Sequence, residues 1–242
     1  IIQSGLSTDD YWDVAERLQE ALLWWENGSR ASGGALVPKK SWYSLVDFVW
    51  TDGEWRYGTN MGDAEIKVMN AEGSREKLEI LEVDEAKRML GVFLAVDGNN
   101  KTQVEEMRKV ADLWYEKVRV GHLTRYDAWM ALNSTVMKTL EYPLLGLTLT
   151  EKECKKIMAP ILKGGLPKIG MCRTLPRKIV YGSLKNQGMG IHNLFTTQGI
   201  LHIQTLLDHI WRDTETGKLI RTSIECVKME VGILGSLFGH NF

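Results

Sequence analysis

Few of the side chains able to do chemistry stand at the spacings that chemistry requires. Asp9 and Asp10 precede an apolar periodic run that begins at Tyr11. Acids are favoured there by the free N–H groups and positive end of a first helical turn, so the pair reads as a helix start rather than as metal ligands. The five histidines, His122, His192, His202, His209 and His240, include no His-Glu-x-x-His pair, and none stands three or four residues from another. That argues against a zinc site on a helix face, and no metal is assigned to this chain. Gly164-Gly165-Leu166-Pro167-Lys168 has the glycines and lysine of a phosphate-binding loop, but at the wrong spacing and with no Ser or Thr after the lysine to hold magnesium. It reads as a helix C-cap and turn. No Gly-x-Ser-x-Gly elbow and no Cys–His arrangement is legible, so the residues by themselves show no complete catalytic constellation.

Charge is more informative. The chain has 242 residues with 30 Lys+Arg and 31 Asp+Glu, a formal charge of −1. Residues 1–98 carry 10 Lys+Arg against 18 Asp+Glu, and residues 99–242 carry 20 against 13. An acidic first part and a basic second part therefore cancel, and near-neutrality does not exclude a phosphate-rich partner. The basic excess is densest from Lys152 to Lys185, where Lys152, Lys155, Lys156, Lys163, Lys168, Arg173, Arg177, Lys178 and Lys185 stand with a single acid, Glu153. A solvated face is one reading of such a run. The other is a phosphate-binding surface, because Gly, Pro and Tyr181 in a loop let backbone and side chains approach a phosphate chain closely.

Composition sets the class. With 44% apolar and 25% charged residues the chain reads as globular. Its longest nearly uncharged apolar runs, 142–149 and 231–238, fall far short of the roughly 20 residues that span a bilayer. Nothing at the first residues directs secretion, and Cys154, Cys172 and Cys226 are too few for a disulfide framework. The expected location is intracellular, in nucleus or cytoplasm, with no membrane partner.

The elements that must position these residues follow from periodicity. Tyr11, Val14, Ala15, Leu18, Leu22 and Trp25 predict a helix over 7–30, capped by Ser7 or Thr8 and ended by Gly28 and Gly33-Gly34. Trp42, Val46, Phe48 and Trp50 alternate on one side of a strand-like run, and Asp52-Gly53 predicts a hairpin turn. Segments 66–69, 78–81 and 89–96 continue that character, giving one helix on antiparallel strands. After residue 100 the period becomes helical. Val104, Met107, Ala111, Trp114 and Val118 form a stripe closed by Gly121; Thr124 to Asp127 and Thr150 to Glu153 read as capping boxes; Pro143 stops the second helix and Gly164-Gly165 the third. A loop-rich stretch over 166–193 leads to two more helices. The fold class is α+β, with 1–97 mixed and 98–242 mainly helical.

In their order, several motifs resemble one family. Trp24-Trp25-Glu26 followed by Ser32-Gly33-Gly34-Ala35-Leu36-Val37-Pro38-Lys39-Lys40-Ser41-Trp42 resembles the segment after the catalytic Asp-Asp turn of mobile-element reverse transcriptases. Leu90-Gly91-Val92 resembles the hairpin that grips the primer end. Tyr142-Pro143-Leu144, Leu166-Pro167-Lys168 and Gln187-Gly188-Met189-Gly190-Ile191 resemble the downstream part of retroelement polymerases, although Gln187 stands where that motif often has glycine and Val37 where many relatives have Asn.

The resemblance implies an RNA-directed DNA polymerase in which palm aspartates hold two magnesium ions. Those aspartates are expected just upstream of Ile1, in a palm and fingers belonging to the same polypeptide. Residues 1–97 then correspond to the remainder of the palm with its primer-grip hairpin, and 98–242 to the thumb and connection. Lys40 matches the lysine proposed to protonate or neutralise the leaving pyrophosphate. The implied partner is an RNA/DNA primer–template duplex, touched at phosphates by Lys101, Arg108, Lys117, Arg119, Arg125, Lys155, Lys156, Lys168, Arg173, Arg177 and Lys178. Taken alone, the chain is expected not to polymerise. The alternatives are a non-catalytic nucleic-acid-binding module, such as a decayed mobile-element remnant, and a protein-interaction domain whose basic stretch meets an acidic partner.

Overall fold

The computed structural model describes residues 10–58 and 64–237. The chain divides into two compact units, one formed by residues 1–87 with 94–99, the other by 88–93 with 100–242.

The first unit contains helix α1 (Tyr11–Ala31) and short strands β1 (Trp42–Tyr43), β2 (Phe48–Thr51), β3 (Glu54–Tyr57), β4 (Lys67–Met69), β5 (Arg75–Lys77) and β6 (Glu79–Ile80). The N-cap of α1 is Asp10: its carboxylate accepts from the Asp13 N–H at 3.0 Å, and the Asp13 carboxylate accepts from the Asp10 N–H at 3.0 Å. Ser7, Thr8 and Asp9 lie outside the described residues. Helix α1 packs on β4, where the Gln19 amide bonds both backbone groups of Lys67 at 2.9 and 2.8 Å. Ala15 joins a small core with Tyr43, Ala64, Ile66, Val68 and Leu78.

Two expectations for this unit are corrected. Trp25 is exposed, and its neighbour Glu26 is buried instead, because Glu26 accepts from the Met69 N–H at 3.4 Å and pairs with Arg30 at 3.5 Å. Arg30 in turn donates to the Asn70 carbonyl at 2.8 Å, so the end of α1 is fixed by polar contacts rather than by a tryptophan. Not every strand pair is antiparallel. β2 pairs with β3 and β4 with β5 in that sense, but β1 and β6 run parallel, joined by a long crossover of the kind parallel pairing demands. The β2–β3 turn is as expected, with positive φ at both Asp52 and Gly53. All four residues of β2 are exposed, so its alternation marks no core face within this unit.

The second unit holds the hairpin tip between β7 (Lys87–Met89) and β8 (Val92–Leu94), then α2 (Lys101–Val120), α3 (Arg125–Ala131), α4 (Met137–Glu141), α5 (Glu151–Lys168), α6 (Arg177–Val180), α7 (Leu194–His209) and α8 (Glu215–Val231). Both expected capping boxes form, Thr124 with Asp127 and Thr150 with Glu153. The helix expected to run to Leu140 is interrupted by a π turn at Leu132–Val136, and Pro143 sits in a 3-10 turn that follows it. Leu132, Val136 and Leu140 are buried as expected, together with Met107, Ala111 and Val118 of the α2 stripe.

Helix α5 does not stop at Gly164-Gly165 but runs on to Lys168, with both glycines buried inside it. A Cβ at Gly164 would stand 2.5 Å from Tyr115 Cδ2 and one at Gly165 3.3 Å from Trp114. These glycines let α2 and α5 approach closely; the helix instead ends one turn later, before Gly170 at φ +86°. The class is thus mixed, mostly helical with short strand pairs. Among the described residues no helix is long and apolar enough to cross a membrane.

Candidate nucleic-acid interface

From Cys154 to Leu207 the sequence has no Asp or Glu, yet it carries eight Lys or Arg. The centre of this stretch is a tightly folded loop. Pro176 opens the single turn of α6, after which the chain doubles back: Met189 N–H donates to Ile179 O at 2.9 Å, Gly190 N–H to Gly182 O at 2.8 Å and Ile191 N–H to Val180 O at 3.2 Å. The two limbs touch backbone to backbone. A Cβ on Gly188 would fall 2.2 Å from the Gly182 carbonyl, so only glycine fits. Gln187 adopts φ +60° and ψ 19°, the left-handed conformation that glycine enters most easily. Val180, Ile191 and Leu194 anchor the loop in the core.

Cations ring this loop. Arg173, Arg177, Lys178 and Lys185 are exposed, and none has an acidic partner among the described residues. Half-buried Tyr181 marks where two elements meet: burial pushes its hydroxyl above the usual range, while the positive fields of Arg177 and of Lys155 from α5 act against that shift. Lys155 also pairs with Glu151 at 2.7 Å, and Lys156 beside it is exposed. Tyr181 thus feels Arg177, four residues before it, and Lys155 from a different helix, and the exposed cations of this segment can hold phosphate oxygens.

The other expected contact residues are placed differently. Arg108 is held between Asp112 at 3.1 Å and the Lys156 carbonyl at 2.8 Å, and Arg119 pairs with Glu116 at 2.9 Å. Lys168 is half-buried and donates to the Gly121 carbonyl at 2.9 Å, where a cation suits the C-terminal end of α2. These three serve internal contacts. Lys101 and Lys117 lie on the exposed side of α2, while the Arg125 guanidinium lies across Gly170.

At the hairpin tip, Leu90 and Gly91 both take positive φ, +48° and +91°, and Val92 is half-buried. Leu90 is 91% exposed, an apolar side chain held outward in a conformation that bulky residues rarely adopt. The Tyr142 hydroxyl donates to the Leu90 carbonyl at 2.8 Å and steadies this turn. Lys40 belongs to the first unit, exposed at the end of a 3-10 turn over Pro38–Lys40.

Sequence reasoning missed a groove of about 520 Å³ beside the loop, lined by Arg125, Tyr126 and Trp129 of α3 and by residues of the 169–189 segment. Its only sequence signal is the Tyr126 and Trp129 pair at helical spacing. Among the described residues no three His, Cys, Asp or Glu side chains converge as a metal site would require. No protein-family model matches the chain, nor does any curated protein or solved structure.

Proposed function

We propose that this chain is the downstream part of a retroelement RNA-directed DNA polymerase and that its role is to hold the primer–template duplex by phosphate contacts. The observation that carries this reading is the acid-free stretch from Cys154 to Leu207, folded so that the fields of Lys155 and Arg177 both reach Tyr181 while Arg173, Lys178 and Lys185 stand exposed. Exposed cations along a tight loop suit a regular array of phosphates and carry no means of reading base sequence. The rest rests on the motif resemblance. On that reading, the turn presenting Leu90 over Gly91 and Val92 contacts the primer end, and Lys40 assists departure of pyrophosphate. The magnesium ions of such an enzyme would be held by palm aspartates outside this chain. No metal-dependent step is assigned to its described residues, and the chain alone is not expected to polymerise. An intracellular setting fits the three free cysteines, Cys154, Cys172 and Cys226.

The experiment is charge reversal. Changing Lys155, Lys156, Arg177 and Lys178 together to Glu should abolish duplex binding in a fluorescence anisotropy titration. The melting temperature should fall by only a few degrees, since exposed substitutions usually stay within about 0.5 kcal/mol each and 1 kcal/mol moves the midpoint of a chain this size by about 2–4 °C. Unchanged affinity removes this surface from the account.

A further inference from the structure

We infer that the groove beside the basic surface receives an unpaired nucleobase from a single-stranded segment continuous with the bound duplex. The inference rests on the duplex-holding reading above and adds a second ligand chemistry to it. Three observations carry it.

The first is the shape and lining of the groove. Its volume of about 520 Å³ lies within the roughly 300–1,000 Å³ of small-ligand sites. One wall is aromatic: Trp129 is half-buried and packs on the core, while Tyr126, three residues earlier on the same face of α3, is 69% exposed. The lining also includes Met171 and Ile179, each a little over 40% exposed, and Leu184 at 71%. Aromatic rings beside apolar side chains receive a flat, weakly polar ring in the way that sequence-tolerant single-strand sites do.

The second is charge complementarity. An apolar groove alone would suit many ligands, but the chain on the far side of this one is rich in cations. The segment that forms its far wall belongs to the stretch from Cys154 to Leu207 that has eight cations and no carboxylate. The one acid on α3, Asp127, is held in the capping box with Thr124. A ligand apolar at its core and negative along its edge, as a nucleotide is, matches both features. The Arg125 guanidinium at the rim, laid over Gly170, supplies a planar cation able to stack on a base or to pair with its phosphate.

The third is the backbone beneath. Gln187 and Gly188 line the groove, and Gly188 is fixed by its contact with Gly182, so the pocket is pre-formed instead of being assembled by the ligand. Stacking does not depend on the sugar, so an RNA and a DNA overhang should behave alike.

The test uses the whole chain and three labelled probes: a blunt duplex, the same duplex with a short unpaired DNA overhang, and the same with an RNA overhang. Either overhang should tighten binding by at least about fivefold, the lower end of what base stacking on an aromatic side chain contributes. Tyr126→Ala should abolish that gain, Tyr126→Phe should keep it, and both should bind blunt duplex as the wild type does. An overhang that adds nothing, or a gain that survives Tyr126→Ala, overturns the inference while leaving duplex binding in place. So does polyglutamate binding that Tyr126→Ala removes, since the occupant is then an acidic polypeptide. Failure of the blunt duplex to bind overturns the duplex reading, and the inference with it.

Discussion

The contact between Gly182 and Gly188 makes the basic loop sensitive to a single methyl group. In Gly188→Ala the new Cβ would stand 2.2 Å from both C and O of Gly182 and 2.5 Å from its Cα. All three are backbone atoms, so no rotamer change relieves the clash and the limbs must part. Parting them breaks the bonds from Gly188 N–H to Ser183 O, Met189 N–H to Ile179 O, and Gly190 N–H to Gly182 O, which are 2.9, 2.9 and 2.8 Å long. At about 1 kcal/mol net for each bond, losing two or three costs about 2–3 kcal/mol, a range typical of overpacking. Gly199 is the matched control. It lies within α7 with nothing within 4 Å of a Cβ, so Gly199→Ala should stabilise by roughly 0.5–1 kcal/mol through helix propensity and reduced freedom of the unfolded chain. Urea denaturation followed by circular dichroism measures both, and amide exchange of 179–191 reports on the loop itself. Gly188→Ala should also weaken duplex binding, whereas Gly199→Ala should not. A Gly188→Ala variant within about 0.5 kcal/mol of wild type, with its loop amides still protected, would refute the reasoning.

Two further outcomes follow from local chemistry. Burial pushes the Cys154 thiol up to about 11, helped by the Glu153 charge, while hydrogen bonds from Thr174 hold exposed Cys172 below the ordinary thiol range. Because the thiolate is the reactive form, iodoacetamide at mildly alkaline pH should label Cys172 in the native chain and reach Cys154 only after unfolding, as peptide mapping would show. Hydrogen bonds from Thr150 hold the Glu153 carboxyl below the usual carboxylate range. Its folded value is depressed, so its contribution is present above the unfolded pKa and is lost as pH falls through the folded one. Thr150→Ala should therefore cost about 1 kcal/mol near neutral pH, with the gap to wild type narrowing in acid when denaturation is repeated across the pH range.

What was legible in the sequence was local. The capping boxes at Thr124 and Thr150, the Asp52-Gly53 turn and the α2 stripe each depend on residues a few positions apart, and each formed. Gly164-Gly165 was misread because glycine serves both helix ends and close helix packing. Only Tyr115 and Trp114, from another helix, decide between them. Trp25 and Glu26 exchanged places for a similar reason: hydrophobicity favours the tryptophan, but the donors at Met69 and the Arg30 side chain reward the carboxylate. The parallel pairing of β1 with β6 has no local signal at all. For the candidate site, the basic run was readable as composition. Which of its members are free was not, because Lys168 finds an internal partner that spacing does not reveal, as Arg108 and Arg119 do on α2. The groove was hidden because its two walls come from α3 and from the loop near residue 180, and the fold alone brings them together.

The central claim is that phosphates meet the free cations of the Cys154 to Leu207 stretch, and the salt dependence of duplex binding by the whole chain tests it most directly. If four or all five of Lys156, Arg173, Arg177, Lys178 and Lys185 engage phosphate, log K against log salt should fall with a slope of roughly −4. A slope near zero would contradict the account.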